Sequence, residues 1–138
     1  MMPKSILVAD DEKSMLNIYT RLFTGTEYSF SKASSFAEAA ELINSNTYDL
    51  LITDLLFPDG LGLELIKLFK KKQKGAKSLL VTGSDPQFIP KQLLNIRIEK
   101  PFRFEALMTA VTEALAGPAR AGRKTGAKNR LPRLSPGE

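Results

Sequence analysis

Leu50, Leu51 and Ile52 stand in a row between Tyr48-Asp49 and Thr53-Asp54. Successive side chains of an extended segment point to opposite faces, so three consecutive apolar residues leave neither face suited to water. Such a run is read as a strand covered on both sides, as in the middle of a parallel sheet. The rest of the chain has to supply those covers. Asp54 lies where the run leaves the core, and Leu55 to Gly60 reads as a loop. A carboxylate at the carboxyl end of a central strand is where open α/β sheets bind ligands.

Two further runs, Ser5–Ala9 and Lys77–Thr82, read as buried strands. Tyr28-Ser29-Phe30-Ser31 alternates like a strand nearer an edge, and Asn95–Glu99 alternates like a fifth. Helical spacing separates them. Met15, Ile18, Tyr19 and Leu22 recur between Lys13 and Thr24, with Gly25 as a stop. Ser34 or Ser35 is placed to cap a helix through Ala37, Ala40, Leu42 and Ile43 that ends at Asn44-Ser45-Asn46. Leu61, Leu65, Ile66 and Phe69 predict a helix from Leu61 to about Lys74, and Phe104, Leu107, Met108, Val111 and Leu115 predict the last one. Pro86 suits a helix start, but Pro90 lacks an amide and clashes within a helix, so the fourth helix is expected to be short or irregular. Strands alternating with helices imply right-handed crossovers and a doubly wound α/β architecture: five parallel strands, helices on both faces.

Composition narrows the chemistry. The 138 residues suit one domain, and they include no Cys and no His. That excludes disulfides, thiolate chemistry, Ser-His-Asp catalysis and imidazole ligation. A bound metal must take oxygen ligands, which points to a hard cation such as Mg²⁺. Six of the 20 Lys and Arg residues but only one of the 15 acidic residues fall in 117–138, so residues 1–116 carry 14 of each sign. Lys70, Lys71, Lys72 and Lys74 crowd a predicted helix carboxyl end, where cations favour its dipole. No apolar run reaches transmembrane length and no signal-peptide plan is evident, so a cytoplasmic protein without membrane attachment is expected.

Parallel strands bring their carboxyl ends to one edge. Asp10, Asp11, Asp54, Thr82 and Lys100 each follow or close a predicted strand and should converge there. Three carboxylates in one concavity repel each other unless a cation neutralises them, and Mg²⁺ commonly binds alongside phosphate. A Thr hydroxyl and a Lys ammonium suit a phosphoryl group, and an Asp can itself accept one in an in-line transfer.

Asp10-Asp11, Asp54, Thr82 and Lys100-Pro101, with the Asp54-to-Gly62 loop containing Pro58 and Gly60, resemble the receiver domain of two-component response regulators. The similarity covers roughly residues 4–116. It implies a flavodoxin-like fold, a receiver domain over 1–116, and roles position by position. Asp54 is then the phosphoacceptor, Thr82 the switch hydroxyl and Lys100 the phosphoryl counter-ion. Asp11, Asp54 and the main-chain carbonyl of Leu56 hold Mg²⁺ directly, Asp10 acts mostly through water, and Gly83 leaves room for the donor. The implied partners are a sensor histidine kinase or phosphotransfer protein and an unknown downstream protein. Residues 117–138 are expected to be a basic, disordered tail: solvated, or engaging an acidic partner, or holding nucleic acid weakly. No output domain is evident, so a stand-alone receiver is expected.

The sequence also departs from that pattern. Arg97 stands where the family usually carries an aromatic switch residue, three positions before the lysine, so a nonstandard signalling surface is expected. Leu56 and Ser84 supply no acid, base or amide to direct water, so self-dephosphorylation is not expected to be fast. Other readings remain open at this level: a pseudo-receiver used as a scaffold, a Mg²⁺-dependent phosphatase similar to the haloacid dehalogenase superfamily, and a flavodoxin-like cofactor binder. The phosphatase chemistry wants an acid where Leu56 stands. The cofactor binder wants a Gly/Ser/Thr-rich phosphate loop after the first strand, where Asp10-Asp11 stands.

Overall fold

The computed structural model describes residues 3–116, and the expected basic tail lies outside the described residues. In chain order the strands are β1 (Ser5–Ala9), β2 (Ser29–Ala33), β3 (Leu50–Thr53), the two-residue β4 (Leu56–Phe57) and β5 (Gly60–Leu61), β6 (Lys77–Thr82) and β7 (Arg97–Glu99). The helices are α1 (Lys13–Phe23), α2 (Phe36–Ser45), α3 (Gly62–Lys72) and α4 (Phe104–Ala116). Five strands form one parallel sheet in the order β2-β1-β3-β6-β7, which puts Leu50–Thr53 at its centre. This is the flavodoxin-like α/β fold.

Strand pleating sorts the core into two layers. Leu7, Ala9, Leu51 and Leu80 face α2 and α3, packing with Ala39, Ile43, Leu65, Ile66 and Phe69. Ile6, Val8, Leu50, Ile52, Leu79 and Val81 face α1 and α4, packing with Leu16, Tyr19, Phe23, Leu107 and Val111. Leu50, Leu51 and Ile52 are all fully buried, as a doubly covered strand requires. Burying each such side chain contributes about 1.5–3 kcal/mol. α2 starts as its capping residues dictate: the Ser35 hydroxyl accepts the Glu38 amide at 3.0 Å, and Glu38 Oε1 accepts the Ser34 amide at 2.8 Å.

Two short 3-10 turns, Pro86–Phe88 and Lys91–Ile96, replace a fourth α-helix between β6 and β7. Ile89 and Leu93 anchor this irregular segment in the α2–α3 layer. The fifth strand begins two residues later than the alternation from Asn95 predicts. Winding persists through Ile96, and the Arg97 amide still closes the turn onto the Leu94 carbonyl. Residues 55–61 are more ordered than a loop: β4 and β5 pair as a hairpin, Leu56 with Leu61 and Phe57 with Gly60. Leu61 therefore belongs to β5 rather than to the buried face of α3, and is 46% exposed. Phe104, the first residue of α4, lies beyond the stripe packed on the sheet and is 50% exposed.

Candidate functional site

Because all five strands are parallel, their carboxyl ends share one edge, and single backbone bonds extend the ladder beyond it. The Asp10 amide donates to the Ala33 carbonyl at 3.0 Å, Asp54 to Ala9 at 3.1 Å, and Lys100 to Thr82 at 3.0 Å. These bonds locate the backbone of three polar residues before any side chain is considered. Asp10, Asp11 and Asp54 each bring a carboxylate oxygen within 4.8 Å of the others. Asp10 is fully buried, Asp11 exposed and the Asp54 side chain 14% exposed. Three hard oxygen donors at this spacing fit a divalent cation such as Mg²⁺, with room for water ligands on the exposed side.

Lys100 is the positive charge of the site. Its Nζ lies 2.9 Å from Asp10 Oδ2, 3.0 Å from Asp54 Oδ2 and 3.2 Å from Glu12 Oε1. Burial works against its charge, but the hydrogen bonds to Asp10 and Asp54 outweigh it and hold the ammonium above the usual lysine range. Burial pushes the Asp10 carboxyl above the ordinary aspartate value, and neither Lys100 nor the Glu12 amide cancels it. The other oxygen of each of these two aspartates also accepts a backbone hydrogen bond. Asp10 Oδ1 takes the Glu12 amide at 2.9 Å, and Asp54 Oδ1 takes the Leu55 amide at 2.6 Å.

Glu12 is the member that sequence reasoning did not single out. It is the N-cap residue of α1 but makes no side-chain cap bond, which leaves its carboxylate free for Lys100. Its place directly after the acidic pair was the available signal.

Thr82 reaches the same edge but is engaged elsewhere. Its buried hydroxyl lies 3.2 Å from Ser84 Oγ and accepts the Ser84 amide at 3.2 Å. A side chain added at Gly83 would meet only Lys100 Cβ, in ordinary contact, so this flank is open. Leu56 lies in β4, two residues past Asp54, with its side chain 54% exposed. Gly62 is required where it stands, because an added Cβ would collide with the Asp54 carbonyl oxygen. Arg97 Nη2 forms an ion pair with Glu99 Oε1 at 3.3 Å, and its buried Nε has no hydrogen-bond partner.

Known proteins resemble this chain in sequence and fold. Residues 6–112 match the family described as the response regulator receiver domain. The transcriptional regulatory protein GlrR of Escherichia coli is 30% identical over 117 residues, 82% of this chain and 26% of that protein. The two-component response regulator ARR12 of Arabidopsis thaliana is 29% identical over 74% of this chain and 18% of its own length. The chain thus spans about a quarter or less of these two relatives. Among solved structures, a response regulator receiver protein from Sinorhizobium medicae superposes with a TM-score of 0.73 at 25% identity, covering 83% of this chain and 96% of the other. A Burkholderia pseudomallei response regulator with a phosphorylated aspartic acid and a calcium ion superposes with a TM-score of 0.70 at 25% identity, covering 80% and 68%. With an acidic cluster, a hydroxyl and a lysine at the carboxyl edge of a β2-β1-β3-β6-β7 sheet, and a family match over 107 residues, the chain belongs to the receiver domain family of two-component response regulators.

Proposed function

We propose that Asp54 accepts a phosphoryl group from a phosphohistidine on a sensor histidine kinase or phosphotransfer protein, and that the phosphorylated domain signals by changing its protein contacts. The observation that carries this reading is the convergence of Asp10, Asp11 and Asp54, with Lys100 bridging Asp10 and Asp54, at the carboxyl edge of the sheet. The Burkholderia relative with its phosphorylated aspartic acid supports it.

Asp10, Asp11, Asp54 and the main-chain carbonyl of Leu56 would hold the cation. Bound there, Mg²⁺ supplies positive charge to the phosphoryl oxygens and to the crowded carboxylates. In the transfer, an Asp54 oxygen forms a bond to phosphorus as the phosphorus–nitrogen bond of the donor imidazole breaks, and the electron pair leaves with that nitrogen. Lys100 exchanges its bond to Asp54 Oδ2 for one to a phosphoryl oxygen, keeping one positive charge beside the new negative ones. Thr82 can donate to another phosphoryl oxygen only by turning away from Ser84, and the two 3.2 Å contacts that hold it are long enough to yield. That coupling makes Thr82 the switch between site and surface. Arg97, tied to Glu99, supports an output face different from the family's aromatic one.

Turnover chemistry is disfavoured by the exposed Leu56 side chain, which offers no acid two residues past the acceptor. Incubation with Mg²⁺ and acetyl phosphate, followed by intact mass, tests the proposal. One added phosphoryl group, absent in Asp54→Ala, is expected and should persist for minutes or longer. No mass gain in the wild type supports a pseudo-receiver instead, and steady phosphate release from an ordinary phosphomonoester supports a phosphatase.

A further inference from the structure

Asp59 lies five residues past Asp54 and is exposed, yet it is not a further member of the acidic cluster. Its Oδ1 accepts the Phe36 amide and its Oδ2 the Ala37 amide, both at 3.0 Å. These are the first two residues of α2, whose amides have no acceptor inside the helix. They hold the Asp59 carboxyl below the usual carboxylate range, first through the Ala37 amide and then through that of Phe36. α2 already has capping contacts of its own, from the Ser35 hydroxyl to the Glu38 amide and from Glu38 back to the Ser34 amide. The greater dependence therefore runs the other way, from the hairpin onto the helix.

The hairpin cannot place itself. β4 and β5 have two residues each, and an isolated two-stranded hairpin is marginal even when longer. Leu56 and Leu61, facing each other across it, are half exposed, so the apolar anchor of the hairpin is Phe57, buried in the α2–α3 layer. Polar and backbone contacts add to that anchor and set the hairpin's orientation. Besides the two Asp59 bonds, Gly60 lies so close to the Phe36 ring that an added Cβ would be 2.5 Å from it. At the far end Gly62 abuts the Asp54 carbonyl and donates to the Leu55 carbonyl at 2.6 Å. Asp54 is thus held on its amino side by the sheet, through Ala9, and on its carboxyl side by this hairpin.

We infer that Asp59 is a positioning residue for the acidic site. By fastening the hairpin to the start of α2 it holds Leu56 and the backbone after Asp54 where a divalent cation is bound. This rests on the cation reading above, and the experiment separates the two.

Mg²⁺ is titrated into ¹⁵N-labelled wild type, Asp59→Ala, Asp59→Asn and Gly60→Ala while the amide resonances of residues 54–62 are followed, and each melting temperature is measured without Mg²⁺. Asp59→Ala should weaken Mg²⁺ binding by about tenfold, the lower end of what losing an outer-shell partner of a metal site costs. Asp59→Asn keeps one acceptor oxygen and should fall between. Gly60→Ala leaves the carboxylate intact but presses the hairpin off Phe36, so it should weaken binding too, and it carries the test if Asp59→Ala does not fold. Lower melting temperatures with Mg²⁺ affinity within twofold of wild type would mean a purely structural cap and would overturn the inference. Failure of the wild type itself to bind Mg²⁺ overturns the cation reading, and this inference with it.

Discussion

One ammonium, on Lys100, faces three carboxylates from Asp10, Glu12 and Asp54, and the site is left with excess negative charge beside the core. Asp10 bears most of the strain, being fully buried. Folding raises its pKa above the ordinary 3.8, so the folded protein holds that proton more tightly than the unfolded chain does. Its contribution to stability is therefore lost as pH rises from 3.8 through the raised folded value, and Mg²⁺-free protein should lose stability across that window. Asp10→Asn keeps the shape without the charge. It should raise the melting temperature at neutral pH by about 3 °C or more, and flatten the acid-side pH dependence seen by calorimetry. Lys100→Met goes the other way. It leaves Asp10 and Asp54 together without a cation, and urea unfolding should show a loss of about 1–3 kcal/mol, less than for a fully buried pair because Lys100 and Asp54 retain some water.

The elements around the site differ in how firmly they are specified. α3 can start only where glycine lets the chain pass the Asp54 carbonyl. Gly62→Ala should destabilise the fold by about 1–3 kcal/mol, as overpacking does, and should slow phosphorylation of Asp54 by acetyl phosphate as well. The 3-10 segment between β6 and β7 depends on two anchors, Ile89 and Leu93. Leu93→Ala should cost about 2–4 kcal/mol in chemical unfolding, because the segment has little regular structure with which to redistribute the loss. That this segment would be short or irregular was legible in Pro90, whose missing amide and ring clash act locally. The start of β7 was not, since alternation from Asn95 fits a strand and a 3-10 turn equally well until the Arg97 amide is seen to bond Leu94. The β4–β5 hairpin was not legible either. Two residues per strand is too short for periodicity to register, and part of its support comes from Asp59 reaching a helix that begins 23 residues earlier.

At the scale of the whole molecule, a cation held at the acidic edge as proposed would couple its binding to stability. A cation bound by the folded site and not by the unfolded chain stabilises the fold by about 2.7 kcal/mol at one hundred times its dissociation constant. Adding Mg²⁺ should therefore raise the melting temperature of the wild type. Asp54→Asn and Asp11→Ala should each abolish most of that rise. Among the described residues no helix is long and apolar enough to cross a membrane, so the two cores on either side of the sheet account for where the apolar helix faces go.

The sequence by itself determined the architecture and the carboxyl ends of the three central strands, because burial on both faces writes itself as Leu50-Leu51-Ile52 and parallel pairing then brings Asp10, Asp11, Asp54, Thr82 and Lys100 to one edge. It named the residues that meet but not how they meet. Only the tertiary structure decided that Lys100 spans three carboxylates with Glu12 among them, that Thr82 turns to Ser84, and that Asp59 serves a helix rather than the acidic site. The physical reason is range. Periodicity and turn chemistry act over a few residues, whereas the direction of a buried or capping side chain is settled by the charges and amides it meets across the fold, such as the 46 residues that separate Asp54 from Lys100.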